Sequence, residues 1–350
     1  MQAYLKLFYS LSILFFLASC QSSEDSTNSH PKNTTTLAPL SPFDNNTIDG
    51  LLVSVADQAI LLSDFQHAIL ASSNGQTQIL ASGKLIGGTM TASQANQVLE
   101  SLINQKVLQI KAQELGIDIG EDELSGRIND FLKQQNYTEF DLQEQLKKTG
   151  KTMDEYRHEF KNEVLKQELI GRVISPLVTV TDDEVNSFYL QQTGSIKQVT
   201  AVKLRSLMLN LPTNYSGDPL KFDPVIQIQK ALSEGKDFSD LVKTYSMASN
   251  VAQTGGVLPS RSVNELPPEL RQKLTHLKIN DVVGPFHIGS SLFFFQYLGA
   301  EFGSGSDLKA NYTSWKNKLS NIKFEERLTE YLKNERAILR VNLRPFTITR

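Results

Sequence analysis

The sequence predicts an α+β fold, mainly helical with short strands near each end of the structured region, and two observations predict it. A short polar side chain stands three positions ahead of Glu or Gln at Thr91–Gln94, Asp118–Glu121, Thr152–Glu155 and Thr181–Glu184. In such pairs each side chain satisfies an orphan backbone N–H of the first helical turn. All four head apolar runs with a period of about 3.6 residues. Strand-type runs bounded by turn signals lie at 51–55, 59–61 and 337–343.

In order, Leu51-Leu52-Val53-Ser54-Val55 and Ala59-Ile60-Leu61 read as a strand and its return, turning at Asp57-Gln58. A Ser/Gly/Thr-rich loop fills 71–91. Val98 and Leu102, then Leu99 and Ile103, recur four apart and continue through Val107 and Ile110 to Leu115, with Gly116 placed to end the helix. Leu124, Ile128, Phe131 and Leu132 line the next helix. Met153, Tyr156, Phe160, Val164, Leu169, Val173 and Ile174 line a long one that stops before Pro176. Near the other end, Leu308, Tyr312, Trp315, Leu319 and Ile322 step helically, the stripe resumes at Leu328 and Leu332, and 337–343 alternates as a strand. Each stripe reads first as packed core, although an open groove for a bound polypeptide has the same spacing.

Composition narrows the function. A net charge of −3 without a basic stripe argues against nucleic acid. Hydrophobic content of 40% and charged content of 21% are those of an ordinary globular protein. The five histidines (30, 67, 158, 276, 287) form no pair at metal-ligand spacing, and no Ser-His-Asp order or phosphate loop is present, so no metal or cofactor is expected. Lys6 followed by the apolar run 7–17 reads as a signal peptide, since the run falls short of the roughly 20 residues of a membrane span. Leu17-Ala18-Ser19-Cys20 resembles the bacterial lipobox, which implies that Cys20, the only cysteine, becomes a lipidated N-terminus. Gln21 resembles the outer-membrane sorting pattern. Residues 21–47, rich in Ser, Thr, Asn and Pro, lack the apolar side chains to repay ordering entropy and read as a disordered tether.

Residues 235–270 carry the most specific pattern. Gly235-Lys236-Asp237-Phe238 with Leu241, then Tyr245-Ser246, Gly255-Gly256 and Glu265-Leu266-Pro267-Pro268-Glu269-Leu270 occur in the order and at the spacing of parvulin-type peptidyl-prolyl isomerases, which this stretch resembles. Residues 102–117 resemble the first long helix of the SurA-type chaperone N-domain, and 178–185 the entry into its last. The resemblance implies a discontinuous helical domain, 48–196 completed by a helix and strand in 306–350, with one parvulin-like α/β domain inserted at 197–303 and a hinge at Gly303-Ser304-Gly305-Ser306.

It also implies where catalysis would sit. Rotation about an X–Pro bond meets a barrier of about 20 kcal/mol. Parvulins surround the twisting amide with two His and a Cys or Asp. At the matching positions this chain has Ser206, Ala248, and Ser291 or Phe293 according to register. Met208, Leu266 and Leu270 match the apolar wall that receives the proline ring. The expectation is a lipid-anchored periplasmic chaperone, associated with the outer membrane, that binds unfolded or extended envelope proteins through a domain weak or inactive as an isomerase. The alternatives are an active isomerase using Ser206, and a structural adapter in an envelope assembly complex.

Overall fold

The computed structural model describes residues 50–349 apart from 150 and 214. The signal peptide, Cys20 and the tether lie outside the described residues. By contacts the chain divides into two units, 50–176 with 327–349, and 177–326.

In the first unit, β1 (Leu51–Val55) pairs antiparallel with β2 (Gln58–Leu61) through a turn at 56–57, one residue earlier than the sequence suggests. Helix α1 (Leu62–Ser72) follows directly. The 71–91 segment is not a plain loop, because it holds a ribbon of β3 (Gln78–Ile79) and β4 (Leu85–Ile86). Helix α2 (Ala92–Glu114) starts at the Thr91 cap, where the Thr91 hydroxyl accepts from Gln94 N–H and Gln94 reaches back to Thr91 N–H. Its Ala95, Leu99, Ile103, Val107 and Ile110 bury against Val53, Val55, Phe65 and Ile69, while Leu108 and Ala112 turn to a second cluster. That cluster is built by α3 (Glu121–Gln134), α4 (Glu139–Thr149) and α5 (Met153–Val173), with Leu124, Phe131, Leu142, Phe160 and Leu169 at its centre.

One of the four predicted caps fails. Gly120, not Asp118, precedes α3, and the Asp118 carboxylate instead takes Lys161 (3.1 Å) and the adjacent Ile119 N–H (2.8 Å). Helix α4 has no counterpart in the sequence reading, although Thr138 and Asp141 cap it reciprocally at 3.2 and 2.8 Å. Aspartate is one methylene shorter than the glutamate of the usual pattern, which hid the signal.

The second unit is a three-stranded antiparallel sheet in the order β5 (Val199–Asn210), β7 (Ser291–Phe302), β6 (Val282–Ile288). Side chains alternate across it. Leu207, Leu209, Leu292 and Phe294 face Val225, Ile228, Leu241 and Val242 of α7 (Asp223–Ser233) and α8 (Phe238–Tyr245). On the other side, Leu204, Phe295 and Tyr297 pack with Leu266, Leu270 and Leu274.

This unit extends beyond 197–303. Helix α6 (Asp182–Thr193) buries Val185, Tyr189 and Leu190 in the same cluster as the sheet, and the Asn186 amide donates to Ala300 O at 2.8 Å. Ser306 caps a short helix, Asp307–Ala310, rather than acting only as a hinge.

The long helix Tyr312–Ile338 contributes residues to each unit. In the second, Trp315 lies edge-on to Tyr189 and Phe188, and the Tyr312 hydroxyl donates to Asp182. In the first, Arg336 bonds Glu100 (2.6 Å) and Asn104 (2.6 Å) of α2. The predicted strand 337–343 is helical through Ile338 and extended only as β8 (Asn342–Leu343), where Val53↔Leu343 and Ser54↔Asn342 complete the sheet β2-β1-β8. The architecture is thus a discontinuous helical domain completed by a later helix and strand, together with a small sheet domain.

Candidate peptide-binding face

Strand β5 places Ser206 and Met208 on one face, since residues two apart in a strand point the same way. Pairing adds to that face from the next strands. Ser206 stands opposite Phe295, Met208 opposite Phe293, and Phe293 and Phe295 opposite Phe286 and Val283 of β6. The rings of Phe293 and Phe295 lie parallel with centroids 5.8 Å apart, and Phe286 tilts against Phe295 at 5.8 Å. Ser206 and Phe295 are buried, whereas Met208, Phe286 and Phe293 are half-buried.

Backbone contacts hold the rim. Ser206 N–H donates to Gly256 O at 2.8 Å. Met208 N–H donates to Ser246 Oγ at 3.1 Å, and Met208 O accepts Met247 N–H at 2.8 Å. The Tyr245-Ser246 pair therefore clamps the end of α8 onto β5, and Ala248, half-buried, follows immediately. Of the two registers left open for the last position, Phe293 is the one centred on the face. Ser291 sits at the strand end opposite Asn210, and its hydroxyl is used by Asn210 Oδ1 at 2.9 Å. The positions that the sequence resemblance pairs with the parvulin polar cluster carry a hydroxyl at Ser206, a methyl at Ala248 and a phenyl group at Phe293.

Leu266 and Leu270 are 5% and 0% exposed within the cluster that contains Phe295 and Tyr297, so they back the face rather than line it. Met208 alone among the three expected wall residues is half-exposed. His287 is exposed and opposite Leu292, whose side chain belongs to the other face, and His276 is exposed and bonds Thr275. In the supporting core, burial pushes the pKa of the Tyr297 hydroxyl up to about 12, leaving it neutral. Ser206, Met208, Ala248, Val283, Phe286, Phe293 and Phe295 include no group that titrates near neutral pH. These residues can hold an apolar or aromatic side chain, and among the seven of them only Ser206 has a polar side chain to offer a twisting amide.

Phe286 and Phe295 were invisible as site residues in the sequence. The run Phe293-Phe294-Phe295 looks uniformly apolar, and only strand pairing sends Phe294 to the opposite core.

Comparison with known proteins places these units. Residues 37–170 match the SurA-like N-terminal domain family, and 223–295 match the PPIC-type PPIase domain family. The chain is 26% identical over 253 residues to chaperone SurA of Idiomarina loihiensis, covering 70% of this chain and 57% of that protein. Against chaperone SurA of Shewanella denitrificans the identity is 24% over 259 residues, covering 72% and 57%. The chain spans about half the length of the curated relatives it matches. Among solved structures, one of two SurA-like chaperones of Campylobacter jejuni is 15% identical, with a TM-score of 0.40 over 85% of this chain and 100% of that one. A PpiC-type peptidyl-prolyl cis-trans isomerase domain is 21% identical, with a TM-score of 0.27 over 32% of this chain and 100% of that domain.

Proposed function

We propose that this chain, which belongs to the SurA-like, parvulin-type family, is a periplasmic chaperone that holds unfolded or extended envelope proteins without rotating their prolyl bonds. The observation that carries the reading is the face made by Ser206, Met208, Phe286 and Phe293. It keeps apolar and aromatic surface where the isomerase family concentrates polar groups. A positioned polar or acid–base group contributes about 10²–10⁴-fold to catalysis of this kind. Without it, cis–trans exchange of a proline tetrapeptide in a protease-coupled assay should run little above the uncatalysed rate. Suppression of aggregation of a denatured outer-membrane protein should be measurable in the same preparation. Turnover comparable with an intact parvulin, abolished by Ser206→Ala, would establish the isomerase reading instead; the buried Ser206 hydroxyl is what favours that alternative.

The lipobox-like Leu17-Ala18-Ser19-Cys20 supports anchoring of the chaperone to the envelope, in the outer membrane by the residue after Cys20. Two or more acyl chains hold a protein stably at a membrane where one does not. Cys20→Ser is expected to move the protein to the soluble envelope fraction and abolish fatty-acid labelling. Membrane association unchanged by the substitution, with no label on the parent protein, contradicts the anchor.

A further inference from the structure

In the first unit, the segment 344–349 lies across the β3–β4 ribbon and is gripped largely by its backbone. Arg344 N–H donates to Leu52 O at 3.0 Å, Thr349 N–H to Gly83 O at 3.0 Å, and Leu85 N–H to Thr349 O at 2.8 Å, so Thr349 pairs in parallel with Lys84 on the outer edge of β4. The side chains alternate, with Phe346 and Ile348 half-buried and Pro345, Thr347 and Thr349 exposed. Phe346 meets Phe65 edge-on at 6.3 Å, and both apolar residues pack against the cluster of Phe65, Ile79 and Leu85. The groove is shaped for a backbone to approach. Gly83 has φ +83, and a Cβ there would stand 2.0 Å from Thr347 O.

A strand edge binds extended peptides through main-chain hydrogen bonds, and shallow pockets for alternate side chains select among them. We propose that this groove is an acceptor site for an extended segment of an unfolded polypeptide, and that 344–349 is its built-in competitor, released when a client strand takes its place. The seated segment defines the client chemistry: an extended stretch with aromatic or β-branched residues two apart, as Phe346 and Ile348 are. The inference rests on the chaperone reading above, but it assigns a site away from the aromatic face.

Lys84 and Thr349 are neighbours on adjacent strands, a spacing of about 4.8 Å and within disulfide reach. On a Cys20→Ser background, Lys84→Cys with Thr349→Cys in the full chain would lock the segment when oxidised and free it when reduced. The probe is a fluorescein-labelled nonapeptide with the sequence of 342–350. Its affinity should be at least about tenfold weaker for the oxidised than for the reduced protein, because an occupied site lowers apparent affinity by the fraction that is free. Removing 344–350 should tighten binding at least about tenfold relative to the parent chain. Equal affinity of oxidised and reduced forms, including no binding to either, overturns the inference. So does a shortened chain that melts cooperatively yet binds no tighter; if it does not fold, the disulfide pair decides. Aggregation suppression measured on the reduced full chain separates the two readings. Its absence removes the chaperone reading, whereas its presence with affinity indifferent to the disulfide removes only this site.

Discussion

Shortening Leu270 to alanine tests whether this residue is core or binding surface. Leu270 is 0% exposed, among Leu266, Leu274, Phe295 and Tyr297, none more than 6% exposed. Walls covered this well cannot collapse onto the missing side chain without moving the sheet. The cost therefore falls in the upper part of the Leu→Ala range, about 3–5 kcal/mol. For a unit the size of 177–326, each kcal/mol lowers Tm by roughly 2–4 °C, so Leu270→Ala should lower it by roughly 6–20 °C. The assay is built in: Trp315, the only tryptophan, packs on Tyr189 at 5.2 Å within this unit, so its emission follows the unfolding. Met208→Ser on the half-exposed face should show the opposite pattern, with stability changed by about 1 kcal/mol or less and capture of a denatured client weakened. Melting of Leu270→Ala within 2 °C of the parent (a shift of about 1 kcal/mol or less), together with lost client capture, would refute the assignment of Leu270 to the core.

Gly256→Ala should destabilise the same unit by at least about 2 kcal/mol. At φ +80 the new Cβ would stand 2.6 Å from both Ser206 O and Val242 Cγ1, so a parent-like thermal melt would contradict the geometry. Glu184 accepts the Thr181 N–H at 2.8 Å and pairs with Lys323 at 2.7 Å. Burial alone would raise its pKa, but the Lys323 hydrogen bond and the cap hold it below the usual carboxylate range. A carboxyl with a depressed folded pKa adds stability above its unfolded value of about 4.3 and loses it as pH falls through the lower folded value. Glu184→Gln should therefore cost about 1 kcal/mol at neutral pH. The gap between parent and variant melts should narrow as pH falls below about 4.3, and a constant gap would show that the charge plays no part.

What the sequence determined is what a few neighbouring residues decide among themselves. Thr91, Thr152 and Thr181 announced their helices because a capping box closes within four residues, and the stripes at 98–110 and 153–173 followed from the helical period alone. The pattern failed where a distant partner intervened: Lys161 took the Asp118 carboxylate, and the alternation of 337–343 disguised as strand Ala337 and Ile338, the last residues of a helix whose Arg336 is held by Glu100. At the candidate site, the resemblance to parvulins singled out Ser206, Ala248 and Met208, but did not say which way neighbouring side chains face. Phe293 and Phe295 separate from Phe294 only when β7 pairs with β5 and β6. Leu266 and Leu270 could be assigned to core rather than surface only once the sheet covered them. Caps and periodicity are short-range and are written in adjacent residues. Strand register and burial depend on partners far off in the chain (Leu204 opposite Tyr297, Val53 opposite Leu343), so only the tertiary structure could decide them.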